Sequence, residues 1–194
     1  MGLVRIVGGA LRGRRIQVPD SGVRPTSDRT REAVFNVLGP RVLARARVLD
    51  LYAGTGALGI EALSRGAERA DFVEGSAAVA RALRETLGAL GLGDRARVHE
   101  GDLSKIELPP GLSGPFDLVF LDPPYAGEEG QRWLGRLARL GWPDAGGLIV
   151  YERRKGSGIV PPAALALAVE RTYADTTVAI YRAGAPADEG RGDA

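Results

Sequence analysis

Residues 47–59 read Arg47-Val48-Leu49-Asp50-Leu51-Tyr52-Ala53-Gly54-Thr55-Gly56-Ala57-Leu58-Gly59. The first six predict a short apolar strand, the glycines a tight turn, and Ile60 to Ser64 a helix that continues from it. Gly54, Gly56 and Gly59 satisfy the spacing G-x-G-x-x-G, which lets a nucleotide-type ligand approach the backbone closely. A dehydrogenase carries the same signal, so the turn alone selects no cofactor.

Working outward, Asp71-Phe72-Val73-Glu74 predicts a second strand ending in an acid 18 residues past Gly56. That is near the spacing of about 20 expected for a carboxylate on ribose hydroxyls. A third strand, Arg95 to Glu100, runs into Gly101-Asp102, and a fourth, Phe116 to Leu121, runs into Asp122-Pro123-Pro124-Tyr125. Asp50, Glu74, Asp102 and Asp122 thus end four successive strands. In an open parallel sheet they converge on the C-terminal edge, where ligands bind. Such a group of acids repels the pyrophosphate of NAD and attracts a cation. S-adenosylmethionine has a positive sulfur and no phosphate, and its amino group, ribose and adenine all donate to carboxylates. It is the cofactor these acids favour.

Asp122-Pro123-Pro124-Tyr125 predicts the acceptor site. Pro123 lacks an N–H and has a fixed φ, and Asp122 before it is driven to an extended conformation. A carboxylate and an outward carbonyl can then each accept one hydrogen of a planar –NH2, while Tyr125 offers a face on which a nucleobase stacks. A plain loop after a strand would also show Pro-Pro, so the weight comes from its combination with the glycine turn.

Charge separates the chain into two parts. Residues 1–47 hold ten arginines and three acids, a charge of +7, which leaves −5 in the remainder of a chain whose net charge is +2. A basic N-terminal arm on an acidic domain predicts a polyanionic partner beside a site for a cation. Overall there are 24 Arg and 2 Lys, which composition bias explains, but bias does not explain the clustering. Val4–Val7 and Arg14–Val18 predict a hairpin with Arg12, Arg14 and Arg15 at or near its tip. A helix capped by Ser27 or Asp28 follows and ends at Gly39-Pro40, with Arg24, Arg29 and Arg31 around its start. Phosphate contact is the expectation for all six arginines.

From Arg47 onward strands and helices alternate, through helices at residues 79–90 and 128–140, a strand at residues 147–151 and a closing hairpin of residues 168–173 and 177–181. Alternation predicts a doubly wound parallel α/β sheet. The expected organisation is a basic extension over residues 1–46, a catalytic domain over 47–183 and a disordered tail over 184–194. Loop Ala126 to Gly130 is expected to act as a lid. Zero cysteines exclude a disulfide framework and a covalent thiolate mechanism. The single histidine, His99, is expected to be a solvated surface residue, and no cluster of metal ligands is visible. With no run of 18 apolar residues and no signal pattern, a cytoplasmic protein is expected.

The strings Asp-Leu-Tyr-Ala-Gly-Thr-Gly-Ala-Leu-Gly and Asp-Pro-Pro-Tyr resemble those of the RsmD family of small-subunit (16S) ribosomal RNA guanine-N2 methyltransferases. So do Arg5-Ile6-Val7-Gly8-Gly9, Arg12-Gly13-Arg14-Arg15 and Arg24-Pro25-Thr26-Ser27-Asp28-Arg29-Thr30-Arg31-Glu32, the last being the most specific. The resemblance runs from about Arg5 to Arg182. It implies a class I, Rossmann-like, S-adenosylmethionine-dependent methyltransferase with a seven-stranded, mostly parallel sheet and helices on both faces. It further implies that Asp50 and the backbone of Gly54 and Gly56 hold the methionine end of the cofactor, Glu74 the ribose, and Asp102 with Leu103 the adenine. Asp122, Pro123, Pro124 and Tyr125 would hold the guanine, whose amino nitrogen attacks the methyl in line. The implied partner is small-subunit RNA or the assembling 30S particle, and the implied state a monomer. A methylase of DNA amino groups or of a protein glutamine, a non-catalytic ribosome-assembly factor and an NAD dehydrogenase are the alternatives; the basic arm, the absence of room for a recognition domain and the intact acids weigh against them.

Overall fold

Leu118, Val119, Phe120 and Leu121 are all inaccessible to solvent, and a strand buried on both faces belongs at the centre of a parallel sheet. The computed structural model describes residues 2–18, 27–105, 108–124 and 128–184. In chain order the elements are β1 (Gly2–Arg5), β2 (Arg15–Val18), α1 (Asp28–Leu43), β3 (Arg47–Leu51), α2 (Ala57–Ser64), β4 (Arg69–Glu74), α3 (Ala77–Ala89), β5 (Ala96–Glu100), β6 (Leu118–Leu121), α4 (Glu129–Leu140), β7 (Leu148–Arg154), β8 (Leu165–Tyr173) and β9 (Thr176–Ala183).

The seven-stranded sheet has the order β5-β4-β3-β6-β7-β9-β8, and β1 pairs with β2 as a separate antiparallel hairpin. β5, β4, β3, β6 and β7 are mutually parallel, while β9 runs antiparallel to both β7 and β8. Alternation along β6 sends Leu118 and Phe120 to one core and Val119 and Leu121 to the other. The first core is covered by α1, α2, α3 and the hairpin, the second by α4 and by the stretch carrying Leu103, Leu112 and Phe116. Helices therefore lie on both faces, as expected, but unequally among the described residues. The connection through Leu112 and Phe116, uninformative in sequence, supplies apolar cover where a helix would otherwise stand, and Trp142 packs edge-on against Phe116 at 4.9 Å.

One local expectation is borne out with an addition and one is corrected. α1 is capped by Ser27, whose Oγ accepts from Thr30 N at 3.1 Å, and its first part ends at Gly39. Gly39, at φ 71° and ψ 168°, breaks the helix where the sequence places its end, and what differs is that Pro40, whose fixed φ suits a first helical turn, starts a further turn to Leu43. His99 is not a solvated histidine. Its partner across the ladder is Val73, so Asp71, two residues earlier, shares its face, and His99 Nε2 lies 2.7 Å from Asp71 Oδ1 with little of the ring exposed.

The hairpin and α1 pack directly onto the sheet. Val4, Ile6, Ile16, Val34, Phe35 and Leu38 join the same core as Val48, Ile60 and Phe120, and the rings of Phe35 and Phe120 are 5.7 Å apart. At the hairpin turn Gly9, at φ 75°, lies so close to α2 that an added Cβ would fall 1.9 Å from the Ser64 carbonyl oxygen. Ser64 holds this turn with three hydrogen bonds: its carbonyl accepts from Ala10 N, its Oγ accepts from Leu11 N, and its hydroxyl donates to Gly8 O.

A buried ionic hub joins these parts. Glu61, on α2, is fully buried; its carboxylate accepts from Val7 N at 2.9 Å and Arg65 Nε at 2.7 Å, and Arg31 Nε stands 3.6 Å away. Arg31 donates from Nη2 to Asp28 Oδ1 at 2.8 Å and to the Arg5 carbonyl. The expected phosphate contact of Arg31 is therefore corrected: its side chain is 1 % exposed and serves the interior. Arg31→Met should destabilise the protein by about 3 kcal/mol in urea unfolding, the low end for a broken buried pair, because Arg65 still faces Glu61.

Candidate active site

From β3 the chain winds through β4 to β5 on one side, then returns to place β6 and β7 on the other. The reversal opens a crevice at the C-terminal ends of β3 and β6, the usual place for a ligand in such a sheet. Leu51 is level with Val73 and with Leu121, so Asp50, Glu74 and Asp122 reach that edge together.

Asp50 is the centre of this group. Its carboxyl is almost fully buried, and Oδ2 accepts from Gly59 N at 2.9 Å. Burial pushes its pKa up to about 8; the Gly59 hydrogen bond opposes this, and the charges of Asp122 and Glu74 add to it. The glycines of the turn have separate tasks. Gly56 takes φ 73° at the start of α2, and an added Cβ would meet Leu83 at 2.5 Å, so it serves the turn and the interior. Gly59 lets α2 lie against Phe72 and Asp50. The N–H of Gly54 donates to Glu74 Oε2 at 2.9 Å and that of Gly56 to Ala53 O at 2.7 Å, so both expected backbone contacts are engaged inside the turn.

Glu74 is fixed at both oxygens, since Oε1 also accepts from Ser76 N at 2.8 Å, and each oxygen keeps a lone pair for a hydroxyl donor. Asp102 follows β5, with its backbone beside Gly75, the residue after Glu74. It is exposed, accepts from Ser104 Oγ at 2.6 Å and Ser104 N at 3.1 Å, and faces Lys105 at 3.5 Å. The Ser104 hydroxyl, then its backbone N–H, hold the Asp102 carboxyl below its ordinary pKa. Leu103 beside it is buried, and its carbonyl accepts from Trp133 Nε1 at 2.9 Å.

Asp122 is half-buried, Pro123 buried and Pro124 exposed at the mouth of the crevice. Tyr125 and the first part of the expected lid, residues 126 and 127, lie outside the described residues, as do Arg24 and the tail beyond residue 184. Sequence reasoning missed Tyr52 and Trp133. Tyr52 has a non-glycine φ of 59° and its hydroxyl approaches Glu129 Oε2 at 3.4 Å. Tyr52 stood inside the quoted strand, but its partner 77 residues away left no local signal.

The remaining arginines are divided by the fold. Arg12, Arg14, Arg15 and Arg29 are exposed. Arg14 Nη2 donates to Ala89 O at the end of α3, and the turn carrying Arg12 docks on Ser64 at the end of α2. Helices that follow parallel strands end at the opposite edge of the sheet, so Arg12 and Arg14 sit away from the acids. Arg15 faces Arg5 across the hairpin, and Arg29 lies in the first turn of α1. A cleft of about 310 Å³ beside Trp142, Pro143, Leu165 and Gly184 is also at that opposite edge and includes none of the expected site residues.

Comparison with known proteins gives a consistent picture. The family described as conserved hypothetical protein 95 matches residues 4–182. The ribosomal RNA small subunit methyltransferase D of Escherichia coli (strain K12) is 38% identical over 183 residues, covering 93% of this chain and 90% of that protein. A solved structure described as a putative methyltransferase yhhF from Escherichia coli superposes with a TM-score of 0.82 at 37% identity, over 95% of this chain and 99% of that one. An RNA methyltransferase from Salinibacter ruber, solved with S-adenosyl-L-homocysteine, shares the fold at a TM-score of 0.63 and 16% identity, over 88% of this chain and 98% of that one. The sheet is thus that of a class I, Rossmann-like methyltransferase. With a match of this extent and relatives of this similarity, the chain belongs to the RsmD family.

Proposed function

We propose that the protein transfers a methyl group from S-adenosylmethionine to the exocyclic N2 of a guanine in small-subunit ribosomal RNA. The observation that carries this is that a buried Asp50 shares one crevice with Asp122 and Glu74 at the ends of the neighbouring strands, a site that favours a cation. The curated relative is a small-subunit ribosomal RNA methyltransferase, and the exposed arginines of the extension suit an RNA backbone. When bound, S-adenosylmethionine supplies a methyl group on a positive sulfur, open to in-line attack.

The chain's own residues then have distinct tasks. Asp50 would face the cationic methionine end, Glu74 the ribose and Asp102 with Leu103 the adenine. Asp122 and a carbonyl of Pro123 or Pro124 would accept the two hydrogens of the guanine amino group, with Tyr125 under the ring. An aromatic amine is a weak nucleophile because its lone pair is delocalised. Two acceptors that draw its hydrogens out of the ring plane favour a pyramidal nitrogen, and positioning supplies much of the acceleration. The same Asp122 oxygen can take the proton once the nitrogen is methylated.

Asp50 links this function to pH. A carboxyl whose folded pKa lies above its unfolded value keeps its proton longer when folded, so its contribution to stability falls as pH rises from about 4 to about 8. A cation bound beside it draws the pKa back down and expels the proton. Calorimetric titration with S-adenosylmethionine at pH 7, in buffers of different ionisation enthalpy, should therefore show release of up to about one proton. Asp50→Asn should abolish both the release and this part of the pH slope of stability. Asp122→Ala should lower turnover by about 100-fold or more while leaving cofactor affinity within about threefold, as single-turnover assays and calorimetry will report. Replacing Arg12, Arg14 and Arg15 by Ala should weaken RNA binding and reduce the slope of log affinity against log salt by about 2 to 3. An unchanged slope would assign those arginines to structure.

A further inference from the structure

Tyr52 occupies the last position before the glycine turn, and its φ of 59° is a left-handed conformation that costs a residue with a Cβ. A tyrosine is held there by what its side chain meets. Half-buried against the core that α4 covers, its hydroxyl donates toward Glu129 Oε2 at 3.4 Å. Burial first, and then the charge of Glu129, raise the pKa of the phenol, so it stays a donor at neutral pH. Glu129 opens α4, and α4 is the helix into which the Asp122-Pro123-Pro124 segment leads.

Trp133 lies one turn further on, at i+4 and so on the same face of α4. It is fully buried, and its indole N–H donates to the Leu103 carbonyl at 2.9 Å. One face of α4 thus touches two segments that belong to different strands: the end of β3 at Tyr52 and the segment after β5 at Leu103. These are the two segments assigned above to opposite ends of the cofactor. Asp122 follows β6, and α4 is the next helix in the chain.

We propose, building on the function assigned above, that Tyr52 is a positioning residue, whose hydrogen bond to Glu129 fixes the first turn of α4 and thereby the distance between methyl donor and base slot. Tyr52 touches neither reacting atom in this role. It sets where the acceptor segment sits, so its loss should slow transfer and leave cofactor binding intact.

The test is a double-mutant cycle on the full chain, read by single-turnover methyl transfer to small-subunit RNA at saturating S-adenosylmethionine, by calorimetric cofactor affinity, and by amide exchange in residues 128–132. Tyr52→Phe should slow transfer about five- to tenfold, the worth of one hydrogen bond, raise exchange in the first turn of α4, and leave cofactor affinity within about twofold. Glu129→Ala should do the same, and the double variant Tyr52→Phe with Glu129→Ala should be no slower than either single one. Glu129→Gln, which keeps an acceptor oxygen, should restore transfer to near the wild-type rate. Transfer by Tyr52→Phe at the wild-type rate, or losses that add in the double variant, would overturn the latch. A wild-type protein that binds cofactor but methylates no ribosomal RNA would overturn the assigned function instead, and the two failures are told apart by the wild-type rate alone.

Discussion

One hydrogen bond, from Gly59 N to Asp50 Oδ2, holds the site in shape. It ties the end of β3 to the first turn of α2 across the glycine turn, and it gives a buried carboxyl a backbone donor. It exists because Gly59 has no side chain: an added Cβ would stand 2.3 Å from Phe72 and 3.1 Å from Asp50 Oδ2. The same closeness excludes water from Asp50, which raises its proton affinity and leaves a group that gains from a nearby cation. Glu74, held by Gly54 and Ser76, keeps the far wall of the turn from relaxing away. Geometry and electrostatics at this edge therefore share one cause.

What could be read from the sequence was whatever is local. The run from Arg47 to Gly59 announces strand, turn and helix, because apolar spacing and glycines act over a few residues, and the acids that end Asp71–Glu74 and precede Pro123 mark the edge they share. Asp102 also has local partners in Ser104 and Lys105, two and three residues on, which its place after a strand did not announce. The role of Arg31 was hidden, because an arginine before an apolar helix looks the same whether it meets phosphate or a buried glutamate 30 residues later. His99 was misread for a similar reason: Asp71 is 28 residues away and adjacent only once β4 and β5 pair. The helix break at Gly39-Pro40 was legible because it is local, while the further turn from Pro40 to the buried Leu43 was not.

The Glu61 hub gives the N-terminal extension its meaning. Hairpin, α1 and α2 meet at one carboxylate through Val7, Arg31 and Arg65, so the extension is wired to the helix that begins at the glycine turn. A buried ion pair is weak evidence for stability but is demanding about geometry, because every lone pair needs its partner. That demand fixes how the hairpin is aimed. Its connection meets α2 first at Glu61 and then at Ser64, the end of that helix.

The aim of the hairpin has a consequence for how much of a substrate the molecule must feel. α2 spans eight residues, about 12 Å at 1.5 Å per residue, and it separates the acids at one end from Arg12 and Arg14 at the other. A fragment that presents only the target nucleotide and its nearest neighbours would fill the crevice without touching those arginines. On the function proposed above, longer RNA would engage both, so affinity gained at a distance becomes available to hold the reacting group in register. Fragment length, rather than local sequence alone, then governs how productively the crevice is occupied.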